Sequence, residues 1–100
     1  MGMTMAEKVL ARASGKKEVR VGEYVTAKID MIMTHEGFAN ISRALEEAGI
    51  TRVADLDKIV VLLDHQVPPA SLAGAETHKR IRDAVRKFGI KHWHDWNTGI

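Results

Sequence analysis

The pattern of apolar residues along the chain predicts alternating helices and strands. Its clearest feature is an unbroken apolar run, Ile59 to Leu63, that is rich in β-branched residues. A strand with one wet face alternates apolar and polar residues, so an unbroken run predicts a strand that is buried on both faces, as inside a parallel sheet. Pro68 and Pro69 prevent this strand from continuing.

Two elements are predicted before residue 35. Thr4 and Glu7 have the spacing of a capping box, which predicts a short helix that ends at Gly15. From Tyr24 to Thr34 apolar and polar residues alternate, which predicts a strand with one wetter face.

A second helix is predicted after this strand. Its apolar stripe has the spacing i, i+3, i+4, i+7 and consists of Ile41, Ala44, Leu45 and Ala48. Gly49 ends the helix, and a loop follows over residues 50–57, in which Val53 and Leu56 are predicted anchors.

A third helix and a third strand complete the pattern. Ser71 is a suitable N-cap and Gly89 a suitable stop, and the buried face is predicted to be Ile81, Ala84, Val85 and Phe88. Residues 90–96 are predicted to be a strand that carries His92 and His94 on one side. The order α-β-α-β-α-β predicts an α/β fold, a three-layer α/β/α segment with a short, mostly parallel sheet.

The best candidate for a functional site lies where two predicted strands end. Asp64 and His65 directly follow the central strand, and His35 and Glu36 follow the strand before it. Ligands of open α/β sheets bind at the carboxyl ends of the strands, so both imidazoles are expected at one rim. There His65 is suited to act as a general acid or base. The alternative is a structural pair that hydrogen-bonds the following loop.

Two further histidines suggest a different class of function. His92 and His94, at i and i+2, are suited to bind a metal ion if His65 or His35 supplies a third ligand. The chain would then be a stand-alone small metal- or ligand-binding α/β module. Without a fixed third ligand, solvent-facing histidines are the favoured explanation of the same pattern. His78 is predicted to be half-buried in the third helix.

Composition excludes several classes of protein. The 15 basic residues are interleaved with 13 acidic ones at a net charge of +2, which argues against a nucleic-acid partner. No apolar run approaches the ~20 residues that a membrane span needs, so no membrane association is expected. The absence of cysteine excludes a disulfide or a thiolate metal site within these residues and fits a cytoplasmic location.

Several segments, in the same order along the whole chain, resemble the start of the large subunit of 3-isopropylmalate dehydratase and homoaconitase, in the aconitase superfamily. The Asp64-His65 pair after an apolar strand is the most specific of them. The other segments are residues 2–8, residues 30–36, Pro68-Pro69 and residues 95–100.

The resemblance implies a hydro-lyase that uses a [4Fe-4S] cluster to dehydrate a 2-hydroxy di- or tricarboxylate, such as 3-isopropylmalate or homocitrate, with a small swivel subunit as partner. It implies that His65 handles the proton of the departing hydroxyl, that Asp64 tunes its charge and that His35 lies at the rim. Residues 37–40 depart from the family pattern, so the substrate-facing loop is altered. Asn40 is a candidate substrate contact there.

The family's cluster-binding cysteines lie far downstream, and this chain has none. We therefore expect residues 1–100 to be an N-terminal segment of an aconitase-like large-subunit domain, without a cluster and inactive alone. The end of the chain at residues 97–100, directly after a strand, supports the same expectation. Sheet edges that were paired in a larger protein invite self-association, so dimers or larger species are expected.

Overall fold

The computed structural model describes residues 2–98, which fall into two compact units. The described residues up to Asp30 form the first unit, and those from Met31 onward form the second. Gly99 and Ile100, on which part of the expectation of a truncated chain depends, lie outside the described residues.

The first unit contains helix α1 (Met5–Ser14), and its predicted ends are confirmed. The Thr4 side chain accepts a hydrogen bond from the Glu7 amide, and the Glu7 carboxylate accepts one from the Thr4 amide at 2.6 Å. Gly15 ends the helix with a φ of 70°, in the left-handed region that favours glycine. Ala11 and Val19 are the buried apolar residues of this unit.

The strand predicted from Tyr24 to Thr34 is wrong for most of its length. Only Ile32–Thr34 forms a strand, β1, while residues 24–30 are irregular and Tyr24 is 99% exposed. Alternation alone does not make a strand, because the backbone groups also need a partner strand to bond. The segment pairs with the central strand only from Ile32 to Thr34.

The second unit is built on three parallel strands in the order β1, β2, β3. Strand β2 (Ile59–Leu62) is the predicted central strand, and β3 (His92–His94) is shorter than predicted. The register pairs Thr34 with Val61, and Val61 with Trp93. The predicted α/β fold is confirmed.

Helix α2 (Phe38–Glu47) forms where it was predicted, but it buries a different face. Phe38, Ala39 and Ser42 are buried, whereas Ile41 is 44% exposed. Ala44 and Ala48 are also exposed, so of the predicted stripe only Leu45 contacts the core. The choice between two helix faces of similar polarity is made by the neighbouring elements, not by the helix.

Helix α3 (Leu72–Phe88) has the predicted ends and buries the four predicted core residues. The Ser71 hydroxyl accepts a hydrogen bond from the Gly74 amide at 3.1 Å, and Gly89 ends the helix with a φ of 69°. On its outer side Arg82 is not simply solvated, because its guanidinium binds both carboxylate oxygens of Asp95, just after β3.

The core of the second unit lies between the sheet and the two helices α2 and α3, which contact each other. β2 contributes Ile59 and Val61, followed by Leu63, and its other face is covered at Leu62 but only half-buried at Val60. Val53 and Leu56 anchor the preceding loop on this core, as predicted; Leu56 begins a short 3₁₀ helix, Leu56–Lys58. The sequence predicted three layers, α/β/α. The sheet and the layer of α2 and α3 are two of them, and a helical layer on the other face of the sheet stays a prediction.

None of the helices within residues 2–98 combines the length and the apolar character that crossing a bilayer requires.

Candidate functional site

The ends of β1 and β2 bring together the four polar residues singled out in the sequence. His35, Glu36, Asp64 and His65, here called the rim cluster, each place one potential ligand atom within 4.8 Å of the others. This proximity follows from the parallel register, because paired parallel strands end at the same edge of the sheet. The predicted rim is therefore present.

Glu36 ties the two strand ends together. Its Oε1 accepts hydrogen bonds from the backbone amides of His65 and Gln66, both at 3.0 Å. Its other oxygen, Oε2, is buried and has no hydrogen-bond partner among residues 2–98. Oε2 lies 3.5 Å from Nδ1 of His35 and 3.7 Å from Nδ1 of His65. Only 10% of the Glu36 side chain is exposed.

The environment of Glu36 favours its charged form. Burial by itself raises the pKa of the carboxyl group, but the backbone amides of Gln66 and His65 and the charge of His65 outweigh it and lower the pKa below its ordinary value. Glu36 is therefore a carboxylate at neutral pH, although most of its side chain is removed from water.

His65 is held by its neighbour and by the second histidine. Its Nδ1 contacts Oδ1 of Asp64, and its ring stacks on that of His35, with ring centroids 4.3 Å apart and planes inclined by 20°. The hydrogen bond to Asp64 and the charge of Asp64, with a smaller contribution from the charge of Glu36, raise the pKa of His65 above its ordinary value, against the opposing effect of desolvation. Since 62% of the side chain is exposed, the ring remains accessible to a ligand.

His78 lies behind the rim cluster, and its burial is greater than the sequence predicted. It is fully buried rather than half-buried, and its Nε2 lies 3.8 Å from Oε1 of Glu36. Neither ring nitrogen has a hydrogen-bond partner among the described residues. Its spacing of three and seven residues from Ile81 and Val85 places it on the core face of α3, and this signal was present in the sequence.

The other predicted site residues are not part of the rim cluster. Asn40 is exposed in the first turn of α2, and its role as a substrate contact stays a prediction. His92 and His94 lie on β3 with exposed side chains. Within residues 2–98 the rim cluster is the group suited to hold a metal ion, and it includes neither of these two histidines.

Replacing Asp64 with asparagine is expected to lower the pKa of His65. The variant removes the carboxylate that hydrogen-bonds the imidazolium and the negative charge beside it, which are the two largest causes of the raised pKa. The measurement is a pH titration of the His65 ring nitrogens by ¹H–¹⁵N NMR. Asp83→Asn, which removes an exposed carboxylate on α3, is the matched control. An unchanged His65 titration in Asp64→Asn would contradict the assignment.

Replacing Glu36 with alanine is expected to lower the free energy of unfolding by about 2 kcal/mol at neutral pH. The variant loses two charge-assisted hydrogen bonds to the backbone amides of His65 and Gln66, in the turn after β2, and water replaces them only in part. The difference in free energy of unfolding between the variant and the wild type should become smaller at acidic pH. The folded-state pKa of Glu36 is lowered, so its stabilisation is complete above the ordinary glutamate pKa of ~4.3 and is lost as the pH falls through the folded-state value.

Urea unfolding at neutral and acidic pH measures this difference. The control is Glu46→Ala, which removes an exposed carboxylate that pairs with Lys87 and should cost no more than about 0.5 kcal/mol. Equal losses in the two variants at neutral pH would show that Glu36 does not fasten the turn.

Comparison with known proteins identifies relatives over the full length of the chain. It is 48% identical over 101 residues to 3-isopropylmalate dehydratase large subunit 1 of Methanopyrus kandleri, and covers 24% of that protein. It is 46% identical to the probable 3-isopropylmalate dehydratase large subunit of Methanothermobacter thermautotrophicus, with 24% covered, and 44% identical to the large subunit of Aquifex aeolicus, with 23% covered. No protein-family model matches the chain.

The resemblance read from the sequence is thereby confirmed. The relatives align with 100% of this chain, but the chain spans only about a quarter of their length. Its whole length is related to 3-isopropylmalate dehydratase large subunits, as is consistent with an N-terminal segment of such a protein.

Proposed function

We propose that this chain is the N-terminal part of a hydro-lyase that removes water from a 2-hydroxy di- or tricarboxylate, such as 3-isopropylmalate or homocitrate, and returns it at the neighbouring carbon. One observation carries the proposal. An Asp-His pair stands at the rim of a parallel sheet, in a chain related over its whole length to 3-isopropylmalate dehydratase large subunits.

In this proposal His65 delivers the proton to the departing hydroxyl. Its Nδ1 is held by Asp64, which leaves Nε2 for the substrate. The raised pKa keeps the ring protonated further toward neutral pH, as a general acid requires. The C–O bond of the substrate breaks, and the hydroxide takes the Nε2 proton and leaves as water. The proton on the neighbouring carbon goes to a base outside these residues.

His35 and Glu36 position this acid. The ring of His35 stacks on that of His65, and Glu36 fixes the backbone of the turn from the next strand end. These contacts hold the imidazole in one orientation while leaving its outer side exposed. Such positioning lowers the barrier because the proton donor does not have to be ordered during the reaction.

The donor set of this chain does not fit the iron–sulfur cluster that the resemblance implies. Such clusters are held by cysteine thiolates, with histidine replacing some of them in one class, and the chain has no cysteine. We therefore assign no step to a cluster here and propose that its ligands come from polypeptide outside these 100 residues. As part of the same proposal the protein works in the cytoplasm, where thiols stay reduced.

A partner is part of the proposal as well. The relatives are named as large subunits, which implies a small subunit beside them. We propose that a small subunit completes the site above the rim cluster and that the 100-residue chain alone is inactive.

The test is a chimera in which this chain replaces the matching quarter of the Methanopyrus kandleri large subunit, produced with the corresponding small subunit. We expect the chimera to dehydrate isopropylmalate, which is measured by the ultraviolet absorption of the unsaturated product. We expect no turnover by the chain alone. A chimera that binds its partner and shows iron–sulfur absorption but converts no hydroxy acid would contradict the proposal. Turnover by the isolated chain would contradict it too.

A further inference from the structure

The rim cluster combines two kinds of donor that a transition metal binds well. It offers two imidazole nitrogens and two carboxylate oxygens, from four residues at two strand ends. Zinc is commonly bound by histidine and carboxylate ligands in a tetrahedral site, whereas magnesium and calcium prefer oxygen alone. The donor set therefore favours a zinc-type ion over a hard cation.

The distances agree with this chemistry. Metal–ligand bonds of about 2.0–2.2 Å in a tetrahedral site place neighbouring ligand atoms roughly 3.3–3.6 Å apart. Oε2 of Glu36 lies 3.5 Å from Nδ1 of His35 and 3.7 Å from Nδ1 of His65. Two of the three separations among these atoms are thus close to those between corners of such a site, and the ligand atoms of the two histidines lie within 4.8 Å of each other. Two contacts have to open for the ion to bind: the one between Asp64 and His65, and the hydrogen bond of 3.4 Å that the Gly37 amide donates to Nδ1 of His35.

The buried carboxylate supplies an independent indication of a ligand. Oε2 of Glu36 is buried, belongs to a side chain that is nine-tenths buried, and has no hydrogen-bond partner within residues 2–98. Oε2 has ion-pair contacts to Nδ1 of the two histidines but no hydrogen bond, and a buried charged oxygen without one is costly, so a bound cation would satisfy it. Its companion oxygen is fully used by two backbone amides, so the free oxygen is held pointing into the rim cluster.

From these contacts we infer that the rim cluster is a binding site for one zinc-type divalent ion, held by Nδ1 of His35 and of His65 and by carboxylate oxygens of Glu36 and Asp64. The inference concerns the chain itself and needs neither turnover nor a partner subunit. The ion displaces the proton shared by Asp64 and His65, which passes to solvent, and leaves Nε2 of both rings outside the site; the zinc-bound state is therefore distinct from the state in which His65 is the protonated acid.

The experiment is a calorimetric titration of the untagged 100-residue chain with ZnCl₂, repeated with MgCl₂. We expect one zinc ion per chain, saturable at micromolar concentration, and no magnesium binding. Removing a residue that only hydrogen-bonds a metal ligand typically weakens metal binding by roughly 10–100-fold. His35→Ala and His65→Ala remove ligands themselves, so each should weaken zinc binding by more than that. The matched control is the double variant His92→Ala and His94→Ala, which removes two exposed histidines and should leave zinc affinity unchanged.

A second measurement covers the case in which a variant fails to fold. In the wild-type chain, ¹H–¹⁵N NMR of the ring nitrogens should show the zinc-dependent shift at Nδ1 of His35 and His65. Shifts confined to His92 and His94, equal binding of magnesium, or the absence of saturable zinc binding would each overturn the inference. None of these outcomes bears on the chimera, whose activity is measured separately.

Discussion

Alanine at position 65 of the chimera is expected to lower kcat by roughly 10²–10⁴-fold, the usual contribution of a positioned general acid. The ring of His65 carries the proton in the proposed reaction, and no other described residue presents an imidazole held by a carboxylate in this way. Substrate affinity should change much less, because the loss falls on the transition state. Steady-state kinetics with isopropylmalate measures both constants.

The pH dependence separates this role from a purely structural one. Since Asp64 raises the pKa of His65, Asp64→Asn should move the alkaline limb of the activity profile to lower pH, because the protonated acid is then lost at lower pH. His92→Ala, at the start of β3 and outside the rim cluster, is the control and should retain its activity. An active His65→Ala chimera would remove His65 from the mechanism.

Phe38→Ala is expected to lower the free energy of unfolding of the second unit by about 3–5 kcal/mol, the usual cost of truncating a fully buried aromatic residue. Phe38 is completely buried and belongs to the core between α2, α3 and β2. Small domains are stable by only about 5–15 kcal/mol, so the variant is expected to be largely unfolded under mild denaturing conditions. Urea unfolding followed by circular dichroism measures the loss.

The control lies three residues further along the same helix. Ile41 belongs to the apolar stripe predicted from the sequence, but it is 44% exposed, so Ile41→Ala should cost no more than about 1 kcal/mol. A larger loss for Ile41→Ala than for Phe38→Ala would mean that the helix buries its predicted face after all.

The parts of the fold that depend on local chemistry could be predicted from the sequence. The capping box at Thr4, the N-cap at Ser71 and the glycine stops at residues 15 and 89 each involve residues a few positions apart. The central strand was also predictable, because an apolar run followed by a carboxylate and two prolines specifies both its burial and its end.

The errors have one physical origin, which is that the deciding partner lies far away in the sequence. Alternation from Tyr24 onward specifies a strand only where another strand pairs with it, and this pairing begins at Ile32. The buried face of α2 is chosen by its contacts with α3 and β2. The sequence placed His35 and His65 at one rim, but it gave no sign that Glu36 joins them through the backbone of the turn.

The two hydrogen bonds of Glu36 span 29 and 30 residues of the chain. Contacts of that separation close a long loop, and they become favourable only after the ends have met. The turn after β2 is held in part by Val67, which packs against the core, but the two bonds from Glu36 form only once the ends of β1 and β2 lie side by side. The rim cluster is therefore expected to form late in folding, so a partly folded chain does not yet hold the rings of His35 and His65 side by side.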